Sequence, residues 1–261
     1  MNLELQGKVA LVTGAAQGIG AEIVRGLIEE EVSVALIDRN KQQAYDLIKE
    51  FEQAKALIFF AETELTEEKE CKKAIEQTIE KFGRLDILIH NAGTNDNTGL
   101  EASPQSFQDS LNRNLFHVFT LTHYAKEHLI SSKGCIVNIS SKVCKTGQGG
   151  TSGYAAAKGA INALTREWAL DLAKYEVRVN AVAPAEVLTP MYQKWLNSHP
   201  NAAEKKAYIE SKIPFGNRMT TEKEIADSVL FLCSARSSHT TGQILHPDGG
   251  YTHLDRAYGN T

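Results

Sequence analysis

The chain has 261 residues, 42% of them hydrophobic, so it is long enough to bury a substantial core in one α/β domain. Its net charge is −4, and lysines cluster only in pairs such as Lys72-Lys73 and Lys205-Lys206. This composition argues against a nucleic-acid partner or an anionic membrane surface, and it favours a small-molecule ligand.

The first residues lack the cationic start and apolar run of a signal peptide, and no later segment approaches the roughly 20 apolar residues that span a bilayer. We therefore expect a cytoplasmic protein. The four cysteines, Cys71, Cys135, Cys144 and Cys233, lie far apart along the chain. This spacing argues against a zinc site or a disulfide, so we expect no bound metal.

Short apolar runs rich in Val, Ile and Leu predict strands at residues 8–13, 33–38, 56–61, 85–90, 134–139, 177–182 and 243–245. Longer segments between them predict helices at residues 18–30, 41–53, 67–81, 104–129, 152–174 and 222–234. Runs without polar alternation are typical of strands buried on both faces. We therefore expect an α/β fold: a single domain over residues 1–261 with a Rossmann-type, doubly wound parallel sheet of about seven strands and helices on both faces.

Two segments do not fit the strand-helix alternation. Residues 188–214 contain Tyr192, Trp195 and Tyr208, and we expect them to form a small helical flap over the substrate. Residues 251–261 form a C-terminal tail with His253 and Arg256, which we expect to close over a pocket or to reach a neighbouring subunit.

A glycine-rich turn joins the first strand to the first helix, from Thr13 to Gly20. Glycines here allow a sharp turn and a close approach to a diphosphate, whose charge the helix start attracts. The predicted cofactor contacts are Gly14, Gln17, Gly18, Ile19 and Gly20. On its own this pattern also fits an ordinary strand-to-helix turn.

Asp38 ends the second strand, 18 residues after Gly20. An acidic residue at about this interval accepts hydrogen bonds from the adenosine ribose and repels a 2′-phosphate, so NAD is favoured over NADP. Arg39 argues the other way, because a guanidinium can pair with that phosphate.

Polar residues gather at the carboxyl ends of the fourth and fifth strands, where open parallel sheets place their active sites. Asn91, Ala92 and Gly93 follow the fourth strand, and Ser141 follows the fifth. Asn114 lies in the long helix between them. The same helix carries His117, His123 and His128 without a shared i, i+4 face. We expect these histidines to make surface or subunit contacts rather than to bind a metal.

Tyr154 and Lys158 begin the next helix, and their i, i+4 spacing puts phenol and ammonium on one face. A nearby cation favours the phenolate, so we expect Lys158 to lower the pKa of Tyr154 toward the range of a general base. Ser141 precedes Tyr154 by 13 residues.

The order and spacing of these motifs resemble the classical short-chain dehydrogenase/reductase family, from residue 8 to about residue 251. The resemblance implies that Tyr154 is the acid/base and that Ser141 hydrogen-bonds the substrate oxygen. It also implies that Lys158 binds the nicotinamide ribose and that Asn114 holds a water linking Lys158 to solvent. Members of this family are usually homotetramers or homodimers built on paired long helices.

The chain departs from the family pattern at two places. Glu64-Leu65 replaces the aspartate that meets the adenine in relatives, and we expect the longer acid to substitute for it. Ala185 replaces a glycine, whereas Val187 and Thr189 match the positions that hold the nicotinamide carboxamide.

The loop over residues 142–151 is mostly polar, which disfavours a steroid or a long acyl chain as substrate. Gln148 and Glu186 offer hydrogen bonds to a polyhydroxylated ligand beside Ser141 and Tyr154. The alternative is that the loop is polar because it is exposed.

Residues 183–192 and 249–257 resemble the L-fucose and aldose dehydrogenase subgroup. This resemblance implies oxidation of an aldose at the anomeric hydroxyl. A 3-oxoacyl-carrier-protein reductase, or another carbonyl reductase, shares the same catalytic residues. A non-catalytic regulatory member is a further alternative, which the intact serine, tyrosine, lysine and asparagine disfavour.

Overall fold

A computed structural model describes residues 2–51, 54 and 57–254. Within these residues the chain forms one seven-stranded parallel sheet in the order β3-β2-β1-β4-β5-β6-β7. The strands are β1 Val9–Thr13, β2 Ser33–Asp38, β3 Ile58–Glu62, β4 Ile87–His90, β5 Cys135–Ile139, β6 Arg178–Val182 and β7 Ile244–Leu245. The α/β fold with a doubly wound sheet is confirmed.

Helices cover both faces of the sheet. They are α1 Gly18–Glu29, α2 Lys41–Lys49, α3 Glu68–Phe82, α4 Pro104–Leu111, α5 His117–Ser132, α6 Ser152–Ala173, α7 Pro190–Asn197, α8 Ala202–Glu210 and α9 Glu222–Cys233. No helix in the described part of the chain is both long and apolar enough to cross a membrane.

The sheet is apolar on both sides because alternate strand residues enter two separate cores. Ala10 and Val12 of β1 join the core beneath α1 and α9, whereas Val9 and Leu11 join the core beneath α3, α5 and α6. All five β1 residues are buried, which explains why this strand shows no polar alternation in the sequence.

The predicted helix at residues 104–129 differs most from the structure. It is interrupted by a π-helical turn, Asn112–Phe116, between α4 and α5, and it continues to Ser132. A single π turn inserts one residue between two segments that each keep the ordinary helical periodicity, so the sequence pattern predicts one continuous helix. Part of the predicted segments 41–53 and 56–61 lies outside the described residues, and α2 ends at Lys49.

The flap predicted at residues 188–214 is helical and consists of α7 and α8. Thr189 begins α7 as its N-cap, and Pro190 occupies the first turn. The side chains of Leu196, Ile213 and Met219 form a separate small core there. Of the predicted tail, residues 251–254 are described and Arg256 lies outside the described residues.

Candidate active site

A cleft of about 470 Å³ opens at the carboxyl ends of the strands, where the chain order reverses between β1 and β4. It is lined by all the predicted substrate residues and by most of the predicted cofactor residues. The latter are Gly14, Gln17, Gly18, Ile19, Asp38, Glu64, Leu65, Asn91, Ala92, Gly93, Tyr154, Lys158, Val187 and Thr189. Gly20 and Asn114 are outside this lining, but each lies against a residue that belongs to it: Gly20 against Gly14, and Asn114 against Gly93.

Gly14 and Gly20 allow the turn after β1 to pack against the end of β4. A Cβ on Gly20 would lie 2.1 Å from the Gly14 carbonyl oxygen, and one on Gly14 would lie 2.9 Å from Ala92 Cα. Asn91 Nδ2 donates to the carbonyls of Thr13 and Gly14, at 3.0 and 2.9 Å. These glycines therefore serve the packing of the turn itself as well as its approach to a ligand.

The start of α1 lies at the cleft, which Gln17, Gly18 and Ile19 line. Its N-cap, Gln17, makes no side-chain capping bond, and Gly18 has a φ of +59°. Amides and a helix dipole placed in this way suit a diphosphate. With the packed glycine turn on one side and Asp38 beyond it, the residues present fit a nicotinamide dinucleotide.

Asp38 is held rigidly at the end of β2. Its Oδ2 accepts a hydrogen bond from the Ala16 amide at 3.0 Å, and its Oδ1 accepts one from the Asn40 amide at 2.9 Å. The neighbouring Arg39 is largely exposed and lies 3.9 Å from Glu64. The carboxylate thus has a fixed position, while the guanidinium faces a second acid.

Glu64, Leu65, Val187 and Thr189 line the cleft as the sequence predicts. The Glu64 carboxylate accepts hydrogen bonds from Thr66, from its amide at 3.2 Å and its hydroxyl at 3.0 Å. Thr189 has a structural role as well, because its hydroxyl accepts the Tyr192 amide at 3.1 Å and caps α7.

Ser141 and Tyr154 meet where β5 ends and α6 begins. Burial raises the pKa of Tyr154 to about 12, and hydrogen bonding with Ser141 opposes this rise. The expectation that Lys158 would lower the pKa of this phenol is therefore wrong for the protein alone. The desolvation of the buried phenol is the larger effect.

Lys158 lies next to Tyr154, with Nζ 5.5 Å from the centre of the phenol ring. Its ammonium donates to the Ile139 carbonyl at 2.7 Å, and burial lowers its pKa to about 8. The ammonium is thus anchored to the end of β5, beside the phenol, with its charged form disfavoured by loss of water.

Asn114 lies in the π turn, and its side-chain amide is fixed at both ends. Its Oδ1 accepts the Thr94 amide at 2.7 Å, and its Nδ2 donates to the Ser110 carbonyl at 3.0 Å. A Cβ on Gly93 would lie 3.1 Å from Asn114 Oδ1 and 3.3 Å from Lys158 Nζ. Gly93 is therefore the residue that lets these two side chains approach each other.

One of the three histidines does not lie at the surface. His117 is buried with 1% exposure, and burial lowers its pKa to about 4, whereas His123 is exposed. The π turn places His117 inward beside Asn114, which a regular helix count does not predict. Among the described residues, no group of three or more His, Cys, Asp or Glu side chains is arranged to hold a metal ion.

On the substrate side, Gln148 and Glu186 line the cleft together with Ser141 and Tyr154. Glu186 is 7% exposed and is already engaged by two neighbours. Lys142 Nζ donates to its Oε1, and the Tyr192 hydroxyl donates to its Oε2 at 2.7 Å. The Glu186 carboxylate is therefore held by two hydrogen-bonding partners, which the sequence alone does not reveal.

Sequence reasoning missed three residues of this site. The Thr13 hydroxyl accepts the amides of Asn91 and Ala92, at 3.0 and 3.1 Å, and joins β1 to β4. Lys142 and Tyr192 hold Glu186. Their positions in the sequence could have indicated them, because Lys142 directly follows Ser141 and Tyr192 is the first aromatic residue of the flap.

The arrangement suits hydride transfer from an alcohol. A nicotinamide dinucleotide bound in the cleft supplies the hydride acceptor. Tyr154, in its phenolate form, is placed to take the hydroxyl proton, and Ser141 to hydrogen-bond the same oxygen. Lys158 and the clamped Asn114 fix the surroundings of the phenol, on which productive alignment depends.

Known proteins resemble this chain in sequence and in fold. The family model described as enoyl-(acyl carrier protein) reductase matches residues 14–252. A 3-oxoacyl-[acyl-carrier-protein] reductase of Thermotoga maritima is 36% identical over 250 residues, covering 95% of this chain and 99% of that protein. L-fucose dehydrogenase of Bos taurus is 34% identical over 252 residues, covering 96% and 91%.

A solved structure, Cj0485 dehydrogenase, superposes with a TM-score of 0.94 at 43% identity, covering 98% of both chains. The matches extend over nearly the whole chain, a span that contains the serine and the tyrosine-lysine pair of this chain. The chain therefore belongs to the short-chain dehydrogenase/reductase family of oxidoreductases and has fucose and aldose dehydrogenases among its relatives.

Proposed function

We propose that this enzyme is an NAD-dependent aldose 1-dehydrogenase that acts on L-fucose or a closely similar sugar. The observation that carries the proposal is the polar substrate side of the cleft, where Gln148 and the held carboxylate of Glu186 accompany Ser141 and Tyr154. Groups of this kind favour a ligand with several hydroxyls. The similarity to L-fucose dehydrogenase supports the same substrate class.

The proposed reaction oxidises the anomeric carbon of the pyranose to a lactone. The C1–H bond breaks and its hydride passes to the nicotinamide, while the C1 hydroxyl loses its proton to the phenolate form of Tyr154 and becomes the carbonyl. Ser141 donates to the oxygen as this carbonyl forms. In the reverse direction the same phenol acts as the acid.

Asp38 supports NAD as the cofactor. Two backbone amides fix its carboxylate at the end of β2, and a 2′-phosphate there would meet a negative charge in a cleft partly shielded from water. Arg39, the residue best placed to favour NADP, lies near the Glu64 carboxylate instead.

A 3-oxoacyl-carrier-protein reductase, or another carbonyl reductase, is the second candidate, and the 36% identity to the Thermotoga maritima protein favours it. It would use the same serine, tyrosine and lysine in the direction of reduction. The lack of a basic run in the sequence disfavours docking of an acidic carrier protein.

Initial rates with purified enzyme test the proposal. The panel consists of L-fucose, L-galactose, D-arabinose and D-glucose, each with NAD and with NADP, and a 3-oxoacyl thioester with NADPH. We expect aldose oxidation with NAD to be the fastest reaction. No activity on any of the first three sugars would overturn the sugar assignment. Turnover on no substrate of the panel would revive the non-catalytic alternative, and full turnover in a Tyr154→Phe variant would exclude this phenol as the acid/base.

We also propose that the enzyme assembles as a homotetramer or homodimer through α5 and α6. Large apolar side chains on these helices, and on the π turn just before α5, are exposed in the single chain: Phe116 and Phe119 at 55% each and Leu170 at 79%. Exposed apolar groups of this size are typical of contact surfaces between subunits.

A cytoplasmic location is part of the same proposal. All four cysteines are free thiols, and three of them are buried in the core. Unpaired buried thiols are typical of proteins kept in a reducing compartment.

A further inference from the structure

Lys142 and Glu186 form a buried ion pair within the substrate side of the cleft. Their side chains are only 10% and 9% exposed, and both residues line the cleft. Removing two charges from water is costly even when they are paired, and apolar residues of similar size are often at least as stable. A buried ion pair inside a ligand cleft therefore suggests that the two charges serve ligand binding rather than the stability of the fold.

Two tyrosines hold the ion pair in place. The Tyr192 hydroxyl donates to Glu186 Oε2 at 2.7 Å, and Lys142 Nζ lies 4.5 Å from the centre of the Tyr251 ring. Tyr192 belongs to the first turn of α7, and Tyr251 packs against the small core of the flap. The pair thus bridges the main domain and the flap.

The backbone ties the pair to the catalytic serine. Lys142 directly follows Ser141, and its amide donates to the Pro184 carbonyl at 2.8 Å. The Glu186 carbonyl in turn accepts the Thr220 amide at 2.9 Å. These bonds connect the segments that carry Ser141, Lys142 and Glu186, so the two charges keep a set position relative to the reacting oxygen.

Resting on the aldose proposal, we propose that Lys142, Glu186 and Tyr192 form a specificity site that recognises hydroxyls next to the oxidised carbon. An ammonium donates to a hydroxyl oxygen, and a carboxylate accepts from a hydroxyl hydrogen. Two hydroxyls on adjacent carbons match this donor and acceptor side by side. A substrate without them displaces water from the two charged groups but forms neither hydrogen bond, and it binds more weakly for that reason.

The test is a selectivity ratio, which a purely structural role would not change. We would measure kcat and KM for the best aldose of the panel and for its 2-deoxy counterpart, in the wild type and in Lys142→Met, Tyr192→Phe and Lys142→Met/Glu186→Gln. The double variant removes both charges together, so it leaves no unpaired buried charge if Lys142→Met alone folds poorly. Lys194→Met, an exposed lysine of α7 outside the cleft lining, is the matched control.

We expect the ratio of kcat/KM for the aldose over the deoxy sugar to fall by at least about tenfold in the Lys142 variants, mostly through KM. The affinity for NADH, measured by fluorescence, and the ratio in Lys194→Met should stay at wild-type values. An unchanged ratio in the double variant would overturn the site, even in an enzyme that oxidises aldoses.

If the wild type oxidises no aldose, the proposed function fails separately. The ratio is then taken between an acyclic polyol and a simple secondary alcohol. Loss of a preference for the polyol in the variants would still support the site, and a wild type without this preference would overturn it.

Discussion

At the residue scale, Lys158 occupies a place where its own charge is disfavoured. Burial lowers its pKa from 10.5 to about 8, a difference that corresponds to about 3 kcal/mol. Below pH 8 the ammonium is protonated in both the folded and the unfolded chain, so the full free-energy cost of burying the charge lowers the stability of the fold. Between pH 8 and 10.5 the unfolded chain binds more protons, and stability rises with pH.

A Lys158→Met variant should therefore be more stable than the wild type at pH 7, by about 1 to 3 kcal/mol. The gain is expected to shrink at a pH between 9 and 10, where the wild-type lysine has lost its proton. Urea unfolding at both pH values measures this, with the exposed Lys174→Met at the end of the same helix as control. A variant that is less stable at both pH values would contradict the account.

Asp38 is the second residue with a measurable role of its own. Replacing it with serine removes the charge that opposes a 2′-phosphate, so the kcat/KM ratio of NADP to NAD should rise by at least about tenfold. Glu62→Ser is the matched control, because Glu62 pairs with Asp38 in the sheet but lies outside the cleft lining. Equal ratios in wild type and Asp38→Ser would remove the argument for NAD.

Most residues that line the cleft were predictable from the sequence, because they belong to segments that begin at the same edge of the sheet. Their electrostatics were not predictable. The spacing of Tyr154 and Lys158 shows that they share a helix face, but it does not show that both are buried or that the ammonium bonds to Ile139. Burial depends on the packing of α6 against the sheet, which no local pattern records.

At the element scale, the strands and most helices followed from apolar periodicity, whereas the π turn did not. Asn112–Phe116 differs from the flanking helices by one residue in its repeat, and this difference turns Asn114 and His117 inward. A single-turn bulge between two segments of ordinary helical periodicity leaves little trace in a sequence. The end of α2 at Lys49 was equally difficult to predict, since no glycine marks it.

The beginning of the C-terminal tail contacts the loop after Ser141. Lys145 Nζ lies 2.9 Å from His253 Nε2, and Tyr251 joins the flap core. Deleting residues 251–261 should raise the KM for substrate far more than it lowers the stability of the fold. A deletion of residues 255–261 that keeps Tyr251 and His253 is the comparison, and unchanged KM in the longer deletion would refute this role.

At the scale of the whole molecule, the exposed apolar groups of α5 and α6 predict self-association. A Phe119→Glu/Leu170→Glu double variant should have a smaller mass than the wild type in light scattering after size exclusion, because charges replace apolar contact area. Phe215 is also exposed but lies outside these helices, so Phe215→Glu should leave the mass unchanged. A monomeric wild type would contradict the proposed assembly.

The family and the fold could be predicted from the sequence alone, because both follow from motifs and apolar runs in a fixed order. The proposed specificity site consists of side chains that come together from distant segments. Lys142 and Glu186 are 44 residues apart, and Tyr192 reaches them from the flap. Their association requires the β5 and β6 ends to be neighbours in space, which is a property of the folded sheet.

The most direct test of the central claim is product formation from L-fucose and NAD by the purified enzyme. NADH release is followed together with identification of the sugar product, alongside reduction of a 3-oxoacyl thioester with NADPH. The account predicts NADH and a sugar lactone in equal amounts, with kcat/KM above that for the thioester and with loss of turnover in Tyr154→Phe. Rapid thioester reduction without any aldose oxidation would contradict it.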